Sequence, residues 1–116
     1  KVTNLQSSLD AKMEKIAVVT PGATLGTINL TDNAVNKVVL TGSALLQAPS
    51  VSDATKFHQV LVQLYKSNAN YVVTFSANKY FGNSTAPDVS AAGYYNVYFE
   101  YDSTRNTWVV GAIKKS

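Results

Sequence analysis

Hydrophobic and polar positions follow two different periods along this chain. In the first segment, KVTNLQSSLDAKMEKI, the apolar residues stand three or four positions apart: Val2, Leu5, Leu9, Met13 and Ile16. That spacing predicts a helix over residues 1–16 with one narrow apolar stripe. An isolated helix of this length is marginally stable in water, so it must dock on its own domain or pair with copies of itself. Its polar flanks favour self-association as a short coiled coil.

After Ile16 the period shortens to two, which predicts β-strands. Apolar runs separated by turn-forming residues occur in IAVVT, ATLGTINL, KVVLTG, SALLQA, KFHQVLVQLYK and YVVTFSA, and KYF adds a short strand within the polar loop NKYFGNSTAPDVSAAG. The clearest alternation is in KFHQVLVQLYK, where Val60, Val62 and Leu64 share one face. No internal repeat is evident, and no strand–helix–strand alternation indicates a doubly wound α/β sheet.

The last two predicted strands carry half of the aromatic residues of the chain. One face of YYNVYFEY holds Tyr95, Val97, Phe99 and Tyr101, which we expect to build the core. The other face holds Tyr94 and Tyr98 with Asn96 and Glu100, and faces solvent or another subunit. The short connection DSTRN predicts an antiparallel hairpin with TWVVGAI, in which Trp108 faces the core together with Val110 and Ala112.

These elements predict an all-β fold: an antiparallel β-barrel or sandwich, preceded by a short N-terminal coiled-coil helix. Residues 1–16 would form the helical neck and residues 17–116 the head domain. The length of 116 residues fits one such domain, and because the chain begins at Lys1 we expect a longer parent protein.

Composition removes several classes of function. The net charge of +3 is spread along the chain without a basic run between aromatic residues, so we expect no nucleic-acid partner. The absence of cysteine excludes disulfides and thiolate chemistry. No apolar run approaches the ~18 residues of a membrane span, so no membrane insertion is expected.

No arrangement of side chains indicates catalysis. His58 is the only histidine, and its neighbourhood is typical of a turn. The aspartates Asp32, Asp53, Asp88 and Asp102 each stand in a turn-like context, which explains them through local bonds to backbone N–H groups. We therefore predict a protein that is not an enzyme and has no metal site and no cofactor.

Binding is the remaining function class. Aromatic rings stack on sugar faces, and amide, carboxylate and guanidinium groups bind the hydroxyls. The candidates for a saccharide site, mostly in the loop NKYFGNSTAPD and the turn DSTRN, are Tyr80, Asn83, Asp88, Arg105, Trp108 and His58. The candidates for a trimer interface are the stripe residues Val2, Leu5, Leu9, Met13 and Ile16.

The order of these segments resembles the C-terminal part of bacteriophage tail fibres and receptor-binding proteins. The likeness is carried by the neck VTNLQSSLDAKMEK, by TPGATLGTINLTDN and above all by the closing YNVYFEYDSTRNTWVVGAI. It is greatest to siphophages that infect lactic acid bacteria and other Gram-positive hosts.

The resemblance implies a homotrimer in the virion, at the tail tip or baseplate. Its β-structured head would recognise a cell-wall polysaccharide or teichoic-acid component of the host. Two other hypotheses stay open: a structural trimerisation or capping domain of a fibre, and a carbohydrate-binding module of a cell-wall hydrolase.

Overall fold

The computed structural model describes residues 16–82 and 85–115. The predicted coiled-coil stripe falls outside these residues except for Ile16, and Asn83 also falls outside them. Within the described residues there is no helix, and nine strands account for about half of the positions: β1 (Ala17–Val19), β2 (Gly26–Asn29), β3 (Ala34–Val39), β4 (Ala44–Gln47), β5 (Gln59–Lys66), β6 (Val73–Phe75), β7 (Lys79–Tyr80), β8 (Gly93–Asp102) and β9 (Thr107–Lys115).

The first six strands wind alternately through two sheets. Strands β1, β3 and β5 lie side by side in a large sheet of order β1-β3-β5-β8-β9-β7, and β2, β4 and β6 form a small sheet. All four pairs among these six strands are parallel. Each turn of the chain thus adds one strand to each sheet, which is the winding of a β-solenoid.

The corners between the two sheets are also stacked from turn to turn. The hydroxyls of Thr24 and Thr41 are 2.8 Å apart, and the Thr41 N–H donates to the Thr24 carbonyl at 2.9 Å. One turn further along, the Val72 N–H donates to the Ser43 hydroxyl oxygen. These bonds satisfy backbone groups that a corner would otherwise leave unpaired, so they hold successive turns in register.

The last part of the chain closes the large sheet with a hairpin. Strand β8 pairs antiparallel with both β5 and β9, and Asp102 faces Thr107 across the turn. The predicted hairpin at DSTRN is therefore confirmed. Strand β7 adds a short parallel edge to β9.

The expectation of a mainly β fold is confirmed, but the expected antiparallel pairing is wrong for most of the chain. Five of the seven strand pairs are parallel, and neither sheet of the described residues closes into a barrel. The reason is that each early connection carries the chain to the other sheet, so consecutive strands cannot pair with each other. Spacing between strands does not distinguish this winding from a series of hairpins.

The hydrophobic core lies between the two sheets. The small sheet contributes Ile28 and Leu46, which are fully buried, and the rings of Phe75 and Phe99 meet across the sheets at 6.2 Å. The predicted inward residues of β5 and β8 are confirmed as core, namely Val60, Val62, Leu64, Tyr95, Val97 and Phe99. Tyr101 and Trp108 are only half-buried, because they lie at the end of the hairpin and line a pocket there.

Two of the three buried polar side chains of the described residues, Asn36 and Lys66, organise loops around this core. Asn36 accepts a hydrogen bond from the Thr31 N–H and donates to the Thr31 carbonyl, so it fixes the turn before β3. Lys66 is 1% exposed, and its Nζ donates to the Val89 and Ser90 carbonyls at 2.8 and 2.9 Å. These charge-assisted bonds hold the chain that returns to β8 against the end of β5.

Candidate functional site

The five predicted saccharide-binding residues that the structure describes do not share one cavity. Tyr80 and Asp88 line a groove on the large sheet, Trp108 lines a separate pocket, and Arg105 lies in the hairpin turn. His58 lies in a partly buried ion pair with Asp32, and Asn83 falls outside the described residues. The structure separates the described candidates because Tyr80 and Asp88 face the groove, whereas the β8–β9 hairpin carries Trp108 to the other pocket.

The pocket at Trp108, called here the Trp108 pocket, encloses about 500 Å³. Three segments form it: the loop after β4, the loop after β6 and the end of the β8–β9 hairpin. Three hydroxyl side chains line it, namely Ser50, Ser76 and Thr107, and three amide side chains, namely Gln47, Asn78 and Asn106. Its aromatic rings are those of Tyr101 and Trp108.

Packing and hydrogen bonds hold the indole of Trp108 in one orientation. Its Nε1 donates to the Pro49 carbonyl at 3.1 Å. Its ring stands edge-on to Tyr101 at 5.5 Å and to Phe99 at 6.5 Å. The Ala48 N–H also donates to the Ser76 hydroxyl at 2.9 Å, which joins the two loops of the pocket. A fixed ring loses little conformational entropy when a ligand stacks on it.

The hairpin turn beside the pocket is ordered by its own side chains. The Arg105 Nε donates to the Asp102 carboxylate at 2.6 Å, and the Thr104 N–H donates to the same group at 3.0 Å. The Arg105 side chain lowers the pKa of Asp102, so this carboxylate is charged at neutral pH. Asn106 follows with a φ of 51°, a left-handed conformation that asparagine tolerates well.

His58 ties two loops at the same end of the domain. Its Nδ1 contacts the Asp32 carboxylate at 2.5 Å, and its Nε2 donates to the Asp53 carbonyl at 2.7 Å. The bond to the Asp53 carbonyl and the bond to Asp32 raise the pKa of His58. Both ring nitrogens of His58 are engaged and the residue is 8% exposed, so its contacts in this structure are with the two loops.

The groove, called here the outer groove, encloses about 950 Å³ on the outer face of the large sheet. Its floor is apolar and comes from several strands, with Val35, Leu61 and Tyr98 side by side. Phe81 lies over Gly111 at its edge, where a Cβ on residue 111 would stand 2.9 Å from the Phe81 ring. Tyr80 and Asp88 belong to this groove.

The two cavities differ in what they can bind. The Trp108 pocket combines aromatic faces with amides and hydroxyls, and none of its lining side chains is charged. That combination suits a neutral polyhydroxylated ligand. The outer groove is mostly apolar, although Asp88 and Glu100 also line it, and it suits an apolar surface.

The described residues contain no group of three or more His, Cys, Asp or Glu side chains that could hold a metal ion. They also contain no helix that is long and apolar enough to cross a bilayer.

Sequence reasoning missed Gln47, Asn78, Asn106 and the exposed part of Tyr101 as pocket residues. The available signal was that two polar loops, QAPS and SANK, follow strands of the same small sheet. Parallel neighbouring strands end at the same edge, so their loops meet there. Without the parallel pairing, nothing in the sequence joins these loops.

No protein-family model matches this sequence, and no curated protein is significantly similar to it.

Proposed function

We propose that this chain is a receptor-binding domain that attaches a virion to a saccharide on the host cell surface, and that it works as a homotrimer without catalysis. The observation that carries the proposal is the Trp108 pocket, which places a fixed indole and a tyrosine ring beside three amide side chains. The assignment to a virion is supported by the resemblance of the chain to the ends of phage tail fibres. The trimer is supported by the apolar stripe over residues 1–16, which predicts a coiled-coil neck.

The chemistry of the pocket narrows the class of saccharide. Its lining side chains include no Lys or Arg to neutralise a phosphate and no Asp or Glu to repel one. Anionic polymers are usually recognised through such cations. We therefore expect a neutral cell-wall polysaccharide to bind in preference to a teichoic acid.

Weak binding at one pocket is compatible with attachment. A monosaccharide offers a small contact area, and an affinity near the millimolar range is worth only about 4 kcal/mol. Several linked pockets raise the effective affinity by about 10² to 10⁴ when they bind one surface together. A trimer carried in several copies on a virion would provide that multiplicity.

The structural alternative also has a specific observation in its favour. A β-solenoid grows along one axis as strands are added, and a fibre can extend along the same axis. In the large sheet the β8–β9 hairpin follows β5 and ends the parallel winding. A domain of this kind could cap a fibre without binding any saccharide. Binding by the isolated chain separates the two functions.

The binding test uses the fluorescently labelled chain on a panel of Gram-positive cells, with purified neutral cell-wall polysaccharide and glycerol-phosphate teichoic acid as soluble competitors. We expect labelling of sensitive cells and competition by the neutral polymer. Gln47→Ala and Asn78→Ala should each weaken labelling about 3- to 10-fold, the loss of one or two hydrogen bonds. Trp108→Phe should weaken it more, because the stacking surface shrinks.

The matched control is Asn70→Ala, which removes an exposed amide from the loop between β5 and β6, away from both the pocket and the outer groove. It should label cells as the unmodified chain does. Binding that survives Gln47→Ala, Asn78→Ala and Trp108→Phe in folded protein would contradict the Trp108 pocket as the site. Absence of labelling on every sensitive strain would favour the capping function.

A further inference from the structure

The outer face of the large sheet carries an apolar row that crosses five strands. Val18 of β1 is beside Val35 of β3, which is beside Leu61 of β5, and the row continues through Tyr98 of β8 to Gly111 of β9, where Phe81 covers the glycine. Val18 is 63% exposed, Phe81 48% and Tyr98 40%. Ile16 and Ile113, at 58% and 62%, lie next to the row and line the outer groove with it.

The opposite side of the molecule lacks such a row. The outward positions of the small sheet are mostly polar, with Thr27, Asn29 and Thr74 exposed. An apolar row that crosses five strands on only one of two sheets is unusual for a surface that stays in water. We infer that this face, the outer groove included, is covered by a second copy of the same chain.

The sequence gives one reason to choose a second copy as the occupant. The stripe over residues 1–16 predicts self-association, and its last residue, Ile16, lies at the β1 end of the row and lines the groove. Copies brought together by that stripe would therefore meet next at the row.

The charges beside the row give a second reason. Lys37 of β3 and Glu100 of β8 are exposed on the outer face, on opposite sides of the row. The two ion pairs formed among the described residues involve neither of them. Any rotation axis that runs along the row brings the Lys37 side of one copy to the Glu100 side of the next, for two copies or for three.

The size of the face is the third reason. The six strands of the large sheet hold 38 residues. At about 3.3 Å along a strand and about 4.8 Å between strands, they give a face of roughly 600 Å² before the relief of the side chains is counted. Two such faces together reach about 1,200 Å², the lower end of the range for specific protein–protein interfaces. The face is thus large enough to be buried between copies.

This inference rests on the self-association in the proposed function and adds the surface that performs it. The experiment measures the mass of the full chain in solution by light scattering, with circular dichroism as the check on folding. Val18→Lys and Ile113→Lys should each shift the protein to monomer, because a buried lysine without a partner opposes association. The matched control is Val72→Lys, since Val72 is also exposed, at 60%, but lies beside the small sheet. It should leave the oligomer intact.

A second test of the same face exchanges the charges of Lys37 and Glu100 and leaves the apolar row unchanged. Lys37→Glu should weaken association at least about threefold, and adding Glu100→Lys to the same chain should restore it. A monomeric unmodified chain would overturn the inference. So would an oligomer that resists Val18→Lys and Ile113→Lys but dissociates with Leu9→Lys, because the stripe alone would then assemble the protein.

The outcomes separate this inference from the proposed function. A dimer that Val18→Lys dissociates would support the covered face and contradict the trimer. Saccharide binding by the monomeric Val18→Lys chain, measured with the neutral polysaccharide, should retain the affinity of a single pocket. If the Trp108→Phe chain loses saccharide binding but keeps its oligomeric mass, the result bears on the pocket alone and the inference about the covered face stands.

Discussion

His58 is the residue whose role depends most on its surroundings. A backbone carbonyl only accepts hydrogen bonds, and so does an ionised carboxylate, so the bonds to Asp53 and Asp32 are both made when both ring nitrogens carry protons. The folded state therefore stabilises the doubly protonated, positively charged form of the His58 ring. His58 joins the turn before β3 to the loop before β5, and its ring meets Tyr101 of the Trp108 pocket edge-on at 6.1 Å.

The raised pKa of His58 predicts that the fold is more stable in mild acid. A pKa that is higher in the folded chain than the unfolded value of about 6.5 contributes stability that is complete below that value, and the contribution is lost as the pH rises through the folded pKa. The melting temperature should therefore fall as the pH rises from about 6 through the folded pKa of His58. Thermal unfolding followed by circular dichroism measures it.

The control for this prediction is His58→Gln, which removes the only histidine of the chain. Its melting temperature should be lower at the acidic end and nearly flat over the same interval. Asp32→Asn should also reduce the dependence on pH, because it removes the charged acceptor. An unchanged dependence in His58→Gln would assign the effect to another group.

Side chains along each strand alternate between the space between the sheets and the outer surface. In β4, Leu46 is fully buried, whereas its neighbour Leu45 points outward and is half-buried. Strand β3 follows the same rule with a polar exception, since Asn36 lies inward but bonds to the turn beside it. An inward polar residue is tolerated because its hydrogen bonds are complete.

The pair of adjacent leucines in β4 tests this division directly. Leu46→Ala should lower the free energy of unfolding by about 2 to 5 kcal/mol, because it leaves a cavity between the sheets. Leu45→Ala, one position away in the same strand, should lower it by about 1 kcal/mol or less. Urea unfolding of both variants measures the difference. Equal losses would mean that β4 does not present its faces as described.

At the scale of the whole molecule, the order of strands determines which parts are best protected from solvent. Strands β5 and β8 lie in the middle of the large sheet and are paired on both sides along most of their length. Strands β1 and β7 lie at its two edges and have three and two residues. Short edge strands open at lower free energy than central ones.

Amide hydrogen exchange should therefore be slowest in β5 and β8 and fastest in β1 and β7. We expect central amides to exchange only through global unfolding, which for a domain of this size costs about 5 to 15 kcal/mol. If the outer face is covered by a second copy, exchange in β1 should accelerate in the monomeric Val18→Lys chain. Protection in β7 equal to that in β5 would contradict the observed strand order.

The positions of the strands and the direction of their side chains are determined by the sequence alone. The alternation in KFHQVLVQLYK identifies Val60, Val62 and Leu64 as inward residues, and the short connection in DSTRN identifies the hairpin. These features depend on residues that are close in the chain. A two-residue period and a tight turn are local consequences of backbone geometry.

Only the tertiary structure decided how the strands pair and which residues share a pocket. Ala17 lies beside Ala34, and Ala34 beside Val60, at separations of 17 and 26 residues that no local signal encodes. The parallel winding then brings Gln47 and Asn78 to Trp108, and it moves Tyr80 to another surface. Strand pairing depends on whether each connection leads to the same sheet or to the other one. The winding observed here buries the apolar faces of both sheets against each other.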